Sequence, residues 1–299
     1  NAMAGLPFGG AKAGIIADPK DIDKKKKKEI IEAFSEAVKT VCPKEYIAGP
    51  NINTTEQEME WFVKKNGNMK SATGKPKKLK GIPHELGSTG FGVYHATLVA
   101  ASSLKLDFKK TTVAIEGFGN VGWFAAKFLS NHMKIVAVSD SQGVIYNKNG
   151  LDFKKLVEVK KKEGSVTKYK PGNVMPGNDI LDIQADILVT AAIPDLIKDG
   201  DVDRLKFKLI VEGSNIPMTP ETEALCYKKG ILVVPDFVAN AGGVISSYVE
   251  YIGGNEKKMF ALVEQKVKEN TNITLENARR KKISPRDAAL DIVMKRVWK

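Results

Sequence analysis

The chain has 299 residues, 42% hydrophobic and 27% charged, the composition of an ordinary soluble protein with room for two medium-sized cores. Its apolar runs are strand-sized, well short of the roughly 20 residues of a membrane helix, no charged-then-apolar leader opens it, and Cys42 and Cys226 lie far apart with no Cys/His cluster nearby. A membrane protein, a secreted disulfide scaffold and a zinc site are thereby excluded, and a cytoplasmic location is expected.

The net charge of +12 comes mainly from lysines, in runs such as 24–28 and 160–162 without interleaved aromatics. That pattern marks solvated helix faces, so no nucleic-acid partner is expected. Residues 1–19 are rich in Gly and Pro, and 22–40 carry apolar residues at 30, 31, 34, 37 and 38, a helical period. A loop over 43–54 leads to a second helix opened by Thr54-Thr55-Glu56, with Trp61, Phe62 and Val63 near its middle. The stretch 66–83, full of Gly, Lys and Pro, reads as loop. From Gly90 onward the pattern alternates: helix 91–104, strand 111–116, a glycine turn, helix 121–131 and strand 135–139. After a Lys-rich excursion come short apolar runs at 187–191, 209–212 and 231–234, then mostly helix over 259–298. Short apolar strands separated by crossovers predict a parallel sheet covered on both faces.

The run Thr-Val-Ala-Ile-Glu-Gly-Phe-Gly-Asn-Val-Gly places Gly117, Gly119 and Gly122 directly after a predicted strand and at the mouth of a predicted helix. Gly117 permits the tight turn, Gly119 lets backbone approach a pyrophosphate, and Gly122 lets the helix pack closely on the strand with its N-terminus toward the negative charge. Asp140 ends the next strand 18 residues beyond Gly122, near the spacing of an acid that reaches the adenosine ribose. A dinucleotide site is therefore expected. Asp140 suits a free 2′-hydroxyl, while Ser139, Ser141 and the plentiful lysines leave room for a phosphate, so NAD and NADP both stay open. His84, His95 and His132 are isolated, and no metal is expected.

Several further segments resemble the glutamate dehydrogenases, within the larger amino-acid dehydrogenase family, along nearly the whole chain. They are Leu6-Pro-Phe-Gly-Gly-Ala-Lys-Ala-Gly-Ile15, Ala48-Gly-Pro-Asn-Ile-Asn-Thr54, Gly87-Ser-Thr-Gly-Phe-Gly92, Val211-Glu-Gly-Ser-Asn-Ile-Pro-Met-Thr-Pro220 and the segment from Pro235 to Glu250. The resemblance implies oxidative deamination of L-glutamate to 2-oxoglutarate and ammonium with hydride transfer to NAD or NADP, in a homo-oligomer. It puts the catalytic lysine at Lys12 and the catalytic aspartate's position at Asn51, with substrate contacts at Gly10, Gly49, Val244 and Ser247. Thr89, Asn215 and Asn240 would meet the nicotinamide half, and Phe118, Asn120, Val121, Ser141 and Ala191 would join the glycines and Asp140 around the cofactor. A lysine among glycines can polarise a carbonyl oxygen and activate water, and a carboxylate opposite must move protons to and from the amine.

The implied fold is α/β: a Rossmann-type doubly wound parallel sheet domain over 89–271, plus a truncated α/β substrate (oligomerisation) domain from 1–88 and 272–299. Three departures bear on activity. Asn51 can hold geometry but takes up no proton at neutral pH, two further substrate lysines of the family are absent ahead of Leu6, and Glu85 stands where a basic residue is common. The expectation is retained dinucleotide binding with slow turnover; the competing reading is a non-catalytic dinucleotide-binding paralogue or regulatory subunit.

Overall fold

In the computed structural model, which describes residues 1–18 and 20–298, the chain divides into two compact units. Residues 1, 6–86 and 243–262 form one, and residues 2–5, 87–242 and 263 onward form the other. Side-chain chemistry within each unit accounts for the grouping. Glu250 accepts the Gly74 and Ile82 amides (3.0 and 2.6 Å), while Arg286 donates to Glu223 (2.6 Å) and Arg296 to the Ala2 carbonyl (3.1 Å).

The first unit holds α1 (Lys24–Ala37) and α2 (Glu56–Asn66). The Asp23 carboxylate caps α1 by accepting from the Lys26 amide (2.7 Å), and Thr55 and Glu58 form a reciprocal capping box on α2. Gly67 ends α2 in the left-handed region at φ 83°. Ile31, Met59, Phe62 and Val63 share a small core with Ala48 and Ala72, which pair as an isolated parallel bridge. Ser35, wholly buried, donates to the Phe62 carbonyl at 2.7 Å and so ties α1 to α2.

The second unit begins with α3 (Ser88–Ser103), β1 (Thr112–Glu116), α4 (Asn120–Leu129) and β2 (Lys134–Asp140). It continues through β3 (Gly143–Tyr146), α5 (Phe153–Glu163), β4 (Asn173–Met175), β5 (Ile187–Thr190) and β6 (Leu209–Glu212). Then come α6 (Pro220–Lys228), β7 (Leu232–Val234) and α7 (Asp236–Ala239). The helices α8 (Gly242–Tyr251), α9 (Glu256–Lys281) and α10 (Pro285–Val297) complete the chain. The sheet order is β4-β3-β2-β1-β5-β6-β7.

Five neighbouring strands, β2 to β7 through β1, are parallel, with Val113 opposite both Ile135 and Ile187. β5 and β6 are buried at every residue, which is why each opens on three apolar residues before its terminal Thr190 or Glu212. The sheet is not wholly parallel as expected. β3 turns back on β2 at Gly143 (φ 137°), and β4 pairs with β3, both antiparallel. These strands of four and three residues lie within the Lys-rich excursion, where Gly and Asn turn signals hid them.

A cluster of three carboxylates around one guanidinium anchors the sheet to the last helix. Glu212 at the end of β6 accepts from the Asp236 amide (2.9 Å), and Arg286 on α10 reaches Glu212 (3.6 Å) and Asp236 (3.3 Å) as well as Glu223. Burial, then the charges of Glu223 and Asp236, hold the Glu212 carboxyl well above the ordinary carboxylate value, against the pull of Arg286. A carboxyl whose pKa is higher folded than unfolded contributes stability that is whole below the unfolded value, near 4.5, and lost as pH rises through the folded one. Glu212→Gln therefore gains over the natural chain as pH rises, by several degrees of melting temperature at pH 9 and least at pH 5. Thermal melts across that range check this, and a constant difference contradicts it.

Candidate functional site

Parallel strands leave a crevice where successive crossovers part to opposite sides, here between the carboxyl ends of β1 and β5. A cleft of about 700 Å³ opens there, walled by Glu116 to Gly119, Ser139 to Ser141 and Ala191 to Ile193, with Lys160 and Asn178 at its side. Gly117, Phe118, Gly119, Asp140, Ser141 and Ala191 of the expected cofactor residues are thus brought together. Asn120, Val121 and Gly122 form the first turn of α4, which no side chain caps.

The three glycines divide their tasks as the spacing implied. Gly117 adopts φ 89°, and a Cβ there would lie 2.6 Å from the Ala192 Cβ. A Cβ on Gly122 would lie 1.9 Å from the Gly117 carbonyl oxygen, so only hydrogen lets α4 sit this close to the turn. At Gly119 a Cβ would meet nothing within 4 Å, leaving backbone open to an approaching group. The Gly117 amide donates to the Ser139 hydroxyl (3.0 Å), which pins the turn to β2.

The pKa values of two carboxylates that face this cleft are moved in opposite directions. Glu116 accepts from the Ala191 and Ala192 amides (2.9 and 3.0 Å), and burial raises its pKa despite those bonds. Burial would also raise Asp140, but the Lys160 ammonium, the Val166 and Gln142 amides and the Ser165 hydroxyl outweigh it and hold Asp140 below its ordinary value. The Asp140 to Lys160 distance is 2.7 Å.

Asn215 and Asn240 meet directly, the Asn240 amide donating to Asn215 Oδ1 at 2.8 Å. Next to them Ile216 is held at φ 48°, a costly conformation for a β-branched residue, fixed by the bond from its amide to Asp236 (3.0 Å) and by the Asp195 amide on its carbonyl (2.9 Å). Thr89 lies in the first turn of α3, where Gly242 crosses so closely that a Cβ would stand 3.0 Å from the Thr89 Cα.

In the first unit, Gly10 and Lys12 lie exposed in a stretch without regular structure, and a Cβ at Gly10 would meet nothing within 4 Å. Lys12 is therefore not desolvated by its surroundings. Gly49 and Asn51 line a second cleft of about 410 Å³ with Ile31, Phe34 and Met59. Asn51 Oδ1 accepts from the Ile52 backbone amide (2.9 Å), while the Asn51 backbone amide donates to Thr54 Oγ1 (2.7 Å), so the turn is closed by the Thr54 hydroxyl. Val244 and Ser247 stand on α8, Val244 exposed and Ser247 half-buried. The same helix is fastened by Glu250, whose carboxylate also pairs with the buried Lys75 ammonium at 2.5 Å.

Sequence reading missed Glu116, Lys160 and Asn178 in the first cleft. Lys160 belongs to a run that local pattern assigns to solvent, and only the unforeseen β3 and β4 excursion returns it to Asp140.

Comparison with known proteins agrees with this architecture. Residues 81–299 match the family described as Glutamate/Leucine/Phenylalanine/Valine dehydrogenase, and residues 1–67 match the Glu/Leu/Phe/Val dehydrogenase dimerisation domain. The chain belongs to the Glu/Leu/Phe/Val dehydrogenase family. It is 38% identical to the glutamate dehydrogenase of Aeropyrum pernix over 317 aligned positions, covering 100% of this chain and 76% of that protein. It is 39% identical to the NADP-specific glutamate dehydrogenase of Saccharolobus shibatae over 260 positions, covering 84% of this chain and 61% of that one. Among solved structures, the hetero-hexameric glutamate dehydrogenase of Thermus thermophilus, in its Leu-bound form, superposes with a TM-score of 0.87 at 26% identity over 99% of this chain and 73% of its own.

As a Glu/Leu/Phe/Val dehydrogenase the chain is an amino-acid dehydrogenase by family, and the family's cofactor is NAD or NADP. The glycine turn fits such a cofactor, since Gly119 leaves open the space that Gly117 and Gly122 deny elsewhere. Among the described residues no helix is long and apolar enough to cross a membrane.

Proposed function

We propose that the chain is a glutamate dehydrogenase-type oxidoreductase that converts L-glutamate to 2-oxoglutarate and ammonium with NAD or NADP. The observation that carries this is the cleft at the ends of β1 and β5, built on a turn that tolerates side chains at neither Gly117 nor Gly122. When bound, the nicotinamide supplies the hydride acceptor. Phosphates are held by the turn from Gly117 to Gly119 and the first turn of α4, where backbone amides and the helix dipole favour negative charge. Thr89, Asn215 and Asn240 orient the carboxamide end, with the Asn215 to Asn240 bond fixing which amide groups face outward.

On the substrate side, Ser247 and Val244 receive the side-chain carboxylate, with Gly10 and Gly49 allowing close approach. Lys12 Nζ polarises the carbonyl oxygen and activates the water that adds to the substrate imine. Asn51 orients without moving a proton. Residues 1–88 and 272–299 serve substrate binding and assembly, and residues 89–271 serve the cofactor. Copies of this chain assemble with one another; the Thermus thermophilus relative is likewise an oligomer, there a hetero-hexamer. The substrates are small molecules of the cytoplasm, with neither nucleic acid nor membrane as partner.

A second reading, a dinucleotide-binding paralogue or regulatory subunit without turnover, is favoured by Asn51, whose side-chain amide takes up no proton. One experiment separates them. Titration of NADH and NADPH by fluorescence is followed by measurement of cofactor reduction with glutamate, leucine and phenylalanine. Binding with glutamate-dependent reduction supports the dehydrogenase, binding without reduction selects the second reading, and no binding by the folded protein overturns both.

A further inference from the structure

We infer that the adenosine end of the cleft is built for a 2′-phosphate and that Lys160 selects NADP over NAD. This rests on the dinucleotide reading of the cleft and sharpens it. A ribose with a free 2′-hydroxyl is held by a carboxylate with acceptor capacity to spare. Asp140 stands where that carboxylate belongs, but its four acceptor positions are filled from within the protein.

Oδ1 accepts from the Gln142 amide (2.9 Å) and the Ser165 hydroxyl (3.1 Å). Oδ2 accepts from the Val166 amide (2.9 Å) and Lys160 Nζ (2.7 Å). A bare diol would have to displace one of these donors, two of which are backbone amides fixed by β2 and the turn after α5. Asp140 is also sunk, with 6% of its side chain exposed, whereas Lys160 keeps 33% exposed and lines the cleft.

The chemistry at the rim is thus inverted relative to a carboxylate site. The charge of Asp140 is balanced by Lys160, and what faces the ligand is an ammonium group with the exposed Ser141 beside it. An ammonium and a hydroxyl donate to a phosphomonoester in charge-assisted bonds, and both are ill suited to recognising a neutral diol. Ser139 does not compete for this role, because its hydroxyl is buried under the glycine turn. Asp140 acts as a positioning residue that aims the lysine.

The test compares two pairs of probes on the full chain by calorimetry or fluorescence: NADPH with NADH, and 2′,5′-ADP with 5′-AMP. The phosphorylated member of each pair is expected to bind roughly tenfold or more tightly. Lys160→Gln should lower both ratios at least about fivefold, and Lys160→Arg should retain most of the preference. Equal or tighter binding of the unphosphorylated members overturns the inference, as do ratios that Lys160→Gln leaves unmoved. The natural chain's own ratios decide the matter even where a variant fails to fold. If the folded protein binds neither dinucleotide, the cofactor reading itself falls, and this inference with it.

Discussion

Asn51→Asp raises the rate of glutamate oxidation by about 10² to 10⁴, the range that a positioned proton-transfer group contributes. Asn and Asp are nearly the same shape, and the contact that fixes this side chain uses Oδ1 as an acceptor from the Ile52 amide, a role that a carboxylate oxygen keeps. The turn with Thr54 is held by backbone and hydroxyl groups that the change does not touch. What changes is that the group gains a proton acceptor. The gain is confined to turnover, so dinucleotide affinity measured by fluorescence stays within about twofold while the steady-state rate climbs. A variant that folds, binds cofactor and shows no increase removes Asn51 from the proton-transfer position and strengthens the non-catalytic reading.

Gly122→Ala is expected to abolish dinucleotide binding and to weaken the fold, while Gly119→Ala separates the two effects. A methyl at 122 cannot coexist with the Gly117 carbonyl oxygen 1.9 Å away, so α4 must move off the turn. Overpacking of this kind costs about 1–3 kcal/mol, and the displaced helix no longer presents its first turn to the cleft. Cofactor affinity should drop at least about 100-fold, of the order expected when several charge-assisted bonds are lost together. At Gly119 the added methyl meets open space and φ is −82°, so the melting temperature should hold while affinity falls. Equal melting temperatures and equal affinities for the natural chain and Gly122→Ala would falsify this account of the turn.

The parts of the fold written in the sequence are those governed by short-range rules. Gly117, Gly119 and Gly122 were legible because each answers a steric demand within a few residues of itself. β1, β5 and β6 were legible because burial leaves each with three consecutive apolar side chains, the polar Glu116, Thr190 and Glu212 coming only at their carboxyl ends. The capping of α2 by Thr55 follows from the same kind of local rule.

What escaped depends on chain returning over longer distances. Asp140 was readable as an acid at the right spacing, but its state was not, since the donors that saturate it lie at 160, 165 and 166, beyond an antiparallel hairpin of very short strands. The same applies to Glu116, whose two amide donors come from the far side of the crevice at 191 and 192. Lys12 shows the converse. Its motif identifies it, but its exposed setting among glycines carries no structural sign of a role beyond the motif.

Glu250 carries a consequence for how the protein is made. Its carboxylate receives the Gly74 and Ile82 amides and the ammonium of Lys75, a side chain only 6% exposed. During synthesis, residues 6–86 emerge long before residue 250, so the first unit waits, with Lys75 lacking its counter-charge, while the segment that builds the sheet is translated in between. The first unit closes only when α8 has followed the strands, and the sheet-bearing unit is completed later still, with residues 263 onward and Arg286 on α10. A fragment ending at residue 86 leaves that ammonium to water, and it is the arrival of α8 that makes burying it affordable.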